Sequence, residues 1–512
     1  FTAFSQPFQV GDLTGNETYF TGFNEALYFA SGNHIKVSDT TSKSIDFFFD
    51  MGEPVISDRG YASHIEISPV LSPLPDFPRF PTTSQYIFFL SKPEPDSTSL
   101  WISDGTVLGT QKLGVFDGIY TYTVFQDELY FVAGKAGYGR ELWRVYNNDT
   151  IIPITDKDFQ SVVVLEAGTD YLYFSSTYEL FRTAGTISST IQVTELNGIS
   201  YGNLNLSFLD GRLFFNTNRY VYVYDNINVA MIDSVDFLYY IGSMAIVDNL
   251  LLYEVYIDAT AETKLYVTNG SPFASQLIYY ESSNYLYGYW PVKNNLFFYT
   301  PDDYLSIANL NKTDGTVAGT VDFTPNTMRY RIADRFGVVG DYLFFPTSED
   351  EYPDFTEGTF ELTQSDLTMS GTVKVKDLFG GGKSYNLASN FTDVNSVLFF
   401  SRGDTNSVFA STLVPPALLY FYKPVQPVIT AVKTKQDIVD MSIFPNPTKS
   451  NCWVQADLVG NLYVTDVFGN EIIKEKFDNK ISLDLSQLKS GVYIVKLLGE
   501  NNQTMVQKFI KQ

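Results

Sequence analysis

Residues able to break or make bonds are scarce in this chain and poorly spaced for it. The two histidines, His34 and His64, both lie early in the sequence. Two imidazoles do not build a His-rich metal centre by themselves, so both read as exposed or packing side chains. Gly198-Ile199-Ser200-Tyr201-Gly202 has the Gly-x-Ser-x-Gly form of a hydrolase nucleophile elbow. That chemistry needs a strand-to-helix turn and a histidine later in the chain. Both histidines precede Ser200 and no helical pattern follows it, so the segment reads as a loop. Gly380-Gly381-Gly382-Lys383-Ser384 is similar to a phosphate loop, but Asp377 stands where its first glycine belongs. It reads as a connection between strands. Cys452, the single cysteine, adjoins Trp453 in a region without histidine and reads as a small buried apolar residue.

Carboxylates are plentiful but unpaired by any pattern. Asp104 and Asp314 sit in repeated turns, where a structural role accounts for them. The run Glu349-Asp350-Glu351-Tyr352-Pro353-Asp354 lacks the alternating spacing of a strong Ca²⁺ loop. It reads as a solvated acidic loop, with weak Ca²⁺ binding as the alternative. No other cofactor is expected. A glycosidase would need two facing carboxylates, and the sequence singles out none. For ligand contact the favoured residues are Tyr287, Tyr289 and Trp290, which end an aromatic stretch beginning at Tyr279. Aromatics at loop tips stack on sugars or pack against proteins; strand packing is the competing reading.

Composition narrows the function classes. Of the net charge of −24, residues 437–512 contribute −1, with 8 Lys and 9 Asp or Glu, and the first 436 residues carry the rest. Such a surface repels phosphate backbones, which argues against nucleic-acid binding. No apolar run reaches the ~20 residues a spanning helix needs. One cysteine allows no intrachain disulfide. The chain starts Phe1-Thr2-Ala3-Phe4, which reads as a mature form after removal of an export signal.

The elements that must position these residues are strands. The chain has 36 Tyr and 42 Phe and few helix-period patterns, which favours an all-β protein. A Leu-aromatic-aromatic element recurs nine times, most copies about 40 residues apart, from Leu27-Tyr28-Phe29 through Leu129-Tyr130-Phe131 to Leu398-Phe399-Phe400. A second element follows it, as in Leu100-Trp101-Ile102-Ser103-Asp104-Gly105-Thr106-Val107-Leu108-Gly109-Thr110 and Leu310 to Thr320. The first element suits a strand buried on both faces between stacked sheets. In the second, Asp accepts backbone hydrogen bonds, Gly takes positive φ and Thr opens the next strand. The pair resembles the bacterial ELWxxDGTxxGT repeat family, which implies a β-propeller over roughly residues 20–410. Blades of about 40–50 residues suggest seven to nine of them, with eight as the central expectation and the first and last copies sharing a blade.

Three further blocks close the chain. They are Ser442-Ile443-Phe444-Pro445-Asn446-Pro447, Tyr463 to Glu471 around Gly469, and Leu485 to Lys496 around Gly491-Val492-Tyr493, followed by Lys508-Phe509-Ile510-Lys511-Gln512. Alternating runs at 452–456, 461–467, 481–485, 492–498 and 504–510 fit a small antiparallel sandwich. Together the blocks resemble the type A C-terminal sorting domain of the type IX secretion system. The resemblance implies export across the outer membrane, then release or surface attachment. It implies an outer-membrane translocon and a shuttle protein as partners, and Phe444, Pro445, Asn446, Pro447, Gly469, Gly491, Val492, Tyr493, Lys508 and Lys511 as the signal. In bacteria with this route, Asp-Ser/Thr-apolar triplets such as Asp96-Ser97-Thr98, Asp149-Thr150-Ile151 and Asp233-Ser234-Val235 resemble O-glycosylation sites; hydroxyl turns are the simpler reading.

The expected organisation is therefore a propeller over 1–414, a Pro-containing linker over 415–436 and a sorting domain over 437–512. The expected function is an exported, noncatalytic binding or adhesion protein with a glycan or surface-protein ligand. A secreted glycan-active hydrolase using propeller carboxylates is the alternative.

Overall fold

The computed structural model describes residues 8–13, 18–39, 44–54, 79–94, 96–135, 138–155, 164–176, 179–195, 204–257, 260, 262–282, 286–301, 308–323, 336–348, 360–375, 388–403, 417–422, 441–466, 471–499 and 504–512. It is all-β, apart from one short 3₁₀ turn at Ile187–Ser189, and divides into two compact units, 1–425 and 426–512.

In the first unit each Leu-aromatic-aromatic element is the second strand of an antiparallel four-stranded meander. Leu27, Phe29, Phe131, Leu213, Phe214, Phe297 and Phe399 are almost fully buried, because this strand is covered by the sheet before it and the sheet after it. Nine such sheets, called blades 1 to 9 in chain order, occur among the described residues: 18–50, 87–116, 118–153, 165–195, 206–234, 240–281, 287–322, 337–374, and 388–422 with 8–13. Blade 2 shows three named strands, and Thr82 bridges Ile87 at the inner position. Nine is the top of the expected range rather than its centre.

The innermost strands follow one another around a ring. Leu165–Ala167 touches Gly118–Phe125 on one side and Leu206–Leu209 on the other; Ala388–Val394 touches both Gly337–Val339 and Thr18–Phe23. Tyr19 then bridges Arg79, and the Tyr122 hydroxyl donates to the Arg79 carbonyl, which joins the start of the ring to blade 3. This closed order of four-stranded sheets is a β-propeller.

Closure differs from expectation in two ways. The first and last repeat elements lie in separate blades: Leu27 in blade 1, Leu398 in blade 9. Blade 9 is instead completed by Phe8–Leu13, which pairs with Ala417–Tyr422. Residues 417–422, expected in the linker, thus form a strand of the ring. Its run Ala417-Leu418-Leu419-Tyr420-Phe421-Tyr422 is the third strand of blade 9, and Leu419 is fully buried.

The second unit is a five-stranded sheet folded on itself. Ser442–Phe444, Asn451–Thr465, Gly491–Gly499 and Thr504–Lys511 pair in order, and Glu471–Asp484 flanks Asn451–Thr465. The expected runs 452–456 and 461–467 are one strand with a bulge between Gln455 and Val459. The run 481–485 extends back to Glu471 because Lys474, Lys476 and Asp478 pair across to Tyr463, Asn461 and Val459 on the solvent side. Alternate residues Cys452, Val454, Leu462, Val464, Val495, Leu497 and Phe509 build the core.

Candidate functional site

The signal block at the start of the second unit is clipped to the end of the chain. Asn446 presents its side-chain amide to the last strand: Oδ1 accepts the Ile510 amide at 2.9 Å and Nδ2 donates to the Lys508 carbonyl at 3.1 Å. Thr448 continues the pairing, its amide donating to the Ile510 carbonyl and its carbonyl accepting the Gln512 amide, both at 2.8 Å. The two prolines on either side of Asn446 cannot donate, so the asparagine side chain replaces a ladder position that the backbone has lost.

Other signal residues divide between core and surface. Tyr493 is buried, stacks on Phe509 at 5.6 Å and donates its hydroxyl to the Lys489 carbonyl. Lys511 is buried, its Nζ 2.7 Å from the Gln512 carbonyl. Val492 stands opposite Ile510 in the register, and both are exposed. Phe444 is also exposed, opposite Trp453, with the Lys480 ammonium over both rings. Pro445, Pro447, Gly491 and Lys508 are exposed, and Gly469 lies outside the described residues. Cys452 is fully buried, and burial pushes its thiol up to about 11.

In the propeller, the Asp-Gly-Thr-x-x-Gly-Thr turns share one hydrogen-bond scheme. Asp104 Oδ1 accepts the Thr106 amide at 2.8 Å and hydroxyl at 2.7 Å. Thr106 Oγ1 accepts the Gly109 amide at 2.9 Å, and Thr110 Oγ1 donates to the Thr106 carbonyl. The bonds recur around Asp314 and around Asp366. They hold the carboxyls of Asp104 and Asp314 below the usual range, the Thr hydroxyl bond contributing most. Gly105 and Gly315 adopt φ near +90°, as such a turn requires.

The turns of blades 2, 4, 6 and 8 are also latched to the preceding blade. Arg144 of blade 3 donates to the Gly185 carbonyl of blade 4 at 2.8 Å, and Lys312 of blade 7 to the Leu367 carbonyl of blade 8 at 2.9 Å. Arg212 and Asn24 make the equivalent bonds to Asn269 and Asp104. The turn carboxylates are thus structural, as their sequence position suggested.

Two carboxylates with raised protonation escaped the sequence reading, Glu166 half-buried and Glu254 buried. Glu166 on the innermost strand of blade 4 accepts the Phe208 amide of blade 5 at 3.0 Å, and burial pushes it up to about 7. Glu254 on the second strand of blade 6 is fully enclosed; backbone amides of Ser243 and of Leu286, at the entry to blade 7, face it, and burial pushes it up to about 8. Its Oε2 has no hydrogen-bond partner among the described residues, nor has the Tyr289 hydroxyl. Gly242 makes room for it, since a Cβ there would lie 2.7 Å from Oε2. Each carboxylate staples a different seam between blades. Their signal in the sequence is weak: a single acidic residue inside an apolar strand, as in Leu252-Tyr253-Glu254-Val255.

The favoured aromatic contacts are not at a loop tip. Residues 287–292 form the innermost strand of blade 7. Tyr289 is buried against Phe298, and Trp290 is half-buried against Phe336 and Tyr299. Strand packing accounts for both, and the Tyr287 side chain lies outside the described residues. His34 is partly exposed beside Phe47 and Asp50, whereas His64, Ser200, Lys383 and the acidic run 349–354 lie outside them. Among the described residues no three His, Cys, Asp or Glu side chains form a metal-ion cluster, and no helix is long and apolar enough to cross a membrane. Of the triplet hydroxyls, Thr150 and Ser234 are exposed, and Ser97 closes a turn with Glu94.

The fold and the clipped terminal module define an all-β protein in which a propeller precedes a small terminal β-sheet module. Residues 442–512 match the family described as the secretion system C-terminal sorting domain. That match supports a type IX secretion cargo with a surface or secreted destination. No curated protein matches the chain significantly. Among solved structures it is similar to Porphyromonas gingivalis dipeptidyl peptidase 4, at 11% identity and TM-score 0.43, over 88% of this chain and 65% of that one. It is also similar to the β-propeller domain of the Trilobed protease from Pyrococcus furiosus, at 12% identity and TM-score 0.33, over 62% of this chain and 98% of that one. At these values nothing passes from those proteins' activities to this chain.

Proposed function

We propose that this protein is an exported binding protein, carried out of the cell by its sorting domain and acting through its propeller without catalysis. The sorting-domain match at 442–512 carries the export half of this reading. The binding half rests on the propeller's carboxylates: Asp104, Asp314 and Asp366 are hydrogen-bonded into their turns, and Glu166 and Glu254 hold separate seams. The resemblance to ELWxxDGTxxGT repeats agrees with this assignment of the turns. A glycan-active hydrolase would instead need two carboxylates facing one sugar. A glycan array scored together with hydrolysis products separates the two: binding without products supports the reading, and products overturn it. Partners on the export route are the type IX translocon and its shuttle protein.

A further inference from the structure

In an antiparallel meander, the first-to-second and third-to-fourth turns lie at the same end of the sheet. In a closed ring of such sheets, all of these turns lie on one face. The third-to-fourth turns carry an apolar side chain at their tips in six blades: Leu108, Ile187, Ile227, Phe273, Val317 and Met369. None of these side chains takes part in the hydrogen bonds that hold its turn, which come from Asp, Asn, Thr and Ser side chains and the backbone. Leu108 is 100% exposed, Ile227 82% and Phe273 65%. Single exposed apolar residues are ordinary, but one in the third-to-fourth turn of six blades is not scatter.

The first-to-second turns, nearer the ring's centre, carry exposed carboxylates at Glu25, Asp127, Asp170, Asp210, Asp248 and Asp341. Four cations described beside these turns are engaged. Arg144 and Lys312 donate to turn carbonyls, Arg212 does the same, and Lys293 pairs with Asp341 at 2.6 Å. The face is therefore an acidic inner ring within an apolar outer one.

We propose that this face docks a basic protein surface that also presents apolar side chains. Charge complementarity selects it: anionic lipid and a second acidic propeller face are both repelled. Several weak apolar contacts spread over the ring add through multivalency, whereas one tip alone binds little. The proposal rests on the propeller being a binding module and names the face and the partner's chemistry.

The test uses the full chain and three synthetic 16-residue peptides: alternating Lys-Leu, all-Lys and alternating Glu-Leu. Lys-Leu is expected to bind most tightly and Glu-Leu not at all. Leu108→Ser with Phe273→Ser, and separately Asp210→Asn with Asp248→Asn, are each expected to weaken Lys-Leu binding about tenfold. All four sites are exposed, and Asn tolerates the positive φ of Asp210 and Asp248, so folding is retained. Equal binding by the variants, equal binding of Glu-Leu, or flotation with zwitterionic vesicles in place of peptide binding would each overturn it. Glycan-array binding that survives such a result would leave the broader binding reading intact.

Discussion

A Cβ on Gly109 would lie 2.1 Å from the Asp104 Oδ1 that organises its turn. The same opposition holds between Gly319 and Asp314 and between Gly371 and Asp366. Blade 4 shows both positions exchanged together: Ala184 stands for the aspartate, and Ser189 for the glycine. There Ser189 Oγ accepts the Ala184 and Thr186 amides, each at 3.1 Å, and so replaces the missing carboxylate. Asp104→Ala is expected to destabilise the protein by ~1–2 kcal/mol, and Gly109→Ser by at least as much. The double variant is expected to recover most of the loss. Urea unfolding of the four proteins in the cycle measures the coupling, and strict additivity would show that the two positions are independent.

The amide clip of Asn446 gives a second outcome. In Asn446→Ala the Ile510 amide loses its acceptor, which costs ~1–2 kcal/mol locally. Hydrogen exchange at residues 508–512 of the full chain should speed about tenfold, while exchange in the propeller core stays unchanged. Unaltered exchange at Ile510 would mean that the clip is not what holds the terminal strand.

Glu254 makes stability depend on pH in a stated direction. Its folded-state value of about 8 lies above the ordinary 4.5, so the folded protein holds the proton more tightly than the unfolded chain. That contribution is complete below about pH 4.5 and is lost as pH rises through about 8. Glu254→Gln keeps an acceptor for the Ser243 and Leu286 amides without the ionisation. Thermal melts between pH 5 and pH 9 should show a smaller fall in Tm for Glu254→Gln than for the parent. Parallel curves would refute the assignment.

Cys452 should be silent to thiol reagents in the native state, since it is fully enclosed and its thiol is pushed up to about 11. Labelling at pH 8 should track unfolding of the C-terminal unit, and rapid labelling without denaturant would contradict this.

Much of the fold was legible because its signals are local. Leu-aromatic-aromatic runs marked the second strands, and Asp-Gly-Thr marked the turns after the third in blades 2 and 7. What was not legible depended on distant pairing. Ala417–Tyr422 looked like linker because prolines flank it, and only its pairing with Phe8–Leu13 makes it part of the ring. Glu471–Asp478 hid as strand because charged side chains line its outer face. Tyr289 read as a contact residue because aromatic content does not tell a tip from an inner strand. Glu166 and Glu254 escaped because a carboxylate's burial is set by the neighbouring blade.

The central claim is that the C-terminal module exports the propeller. Deleting Asp437 to Gln512 and assaying the protein inside and outside the cell tests it most directly. The account predicts that the truncated chain, its nine blades intact, is retained in the cell envelope. Its normal appearance on the surface or in the medium would contradict the account.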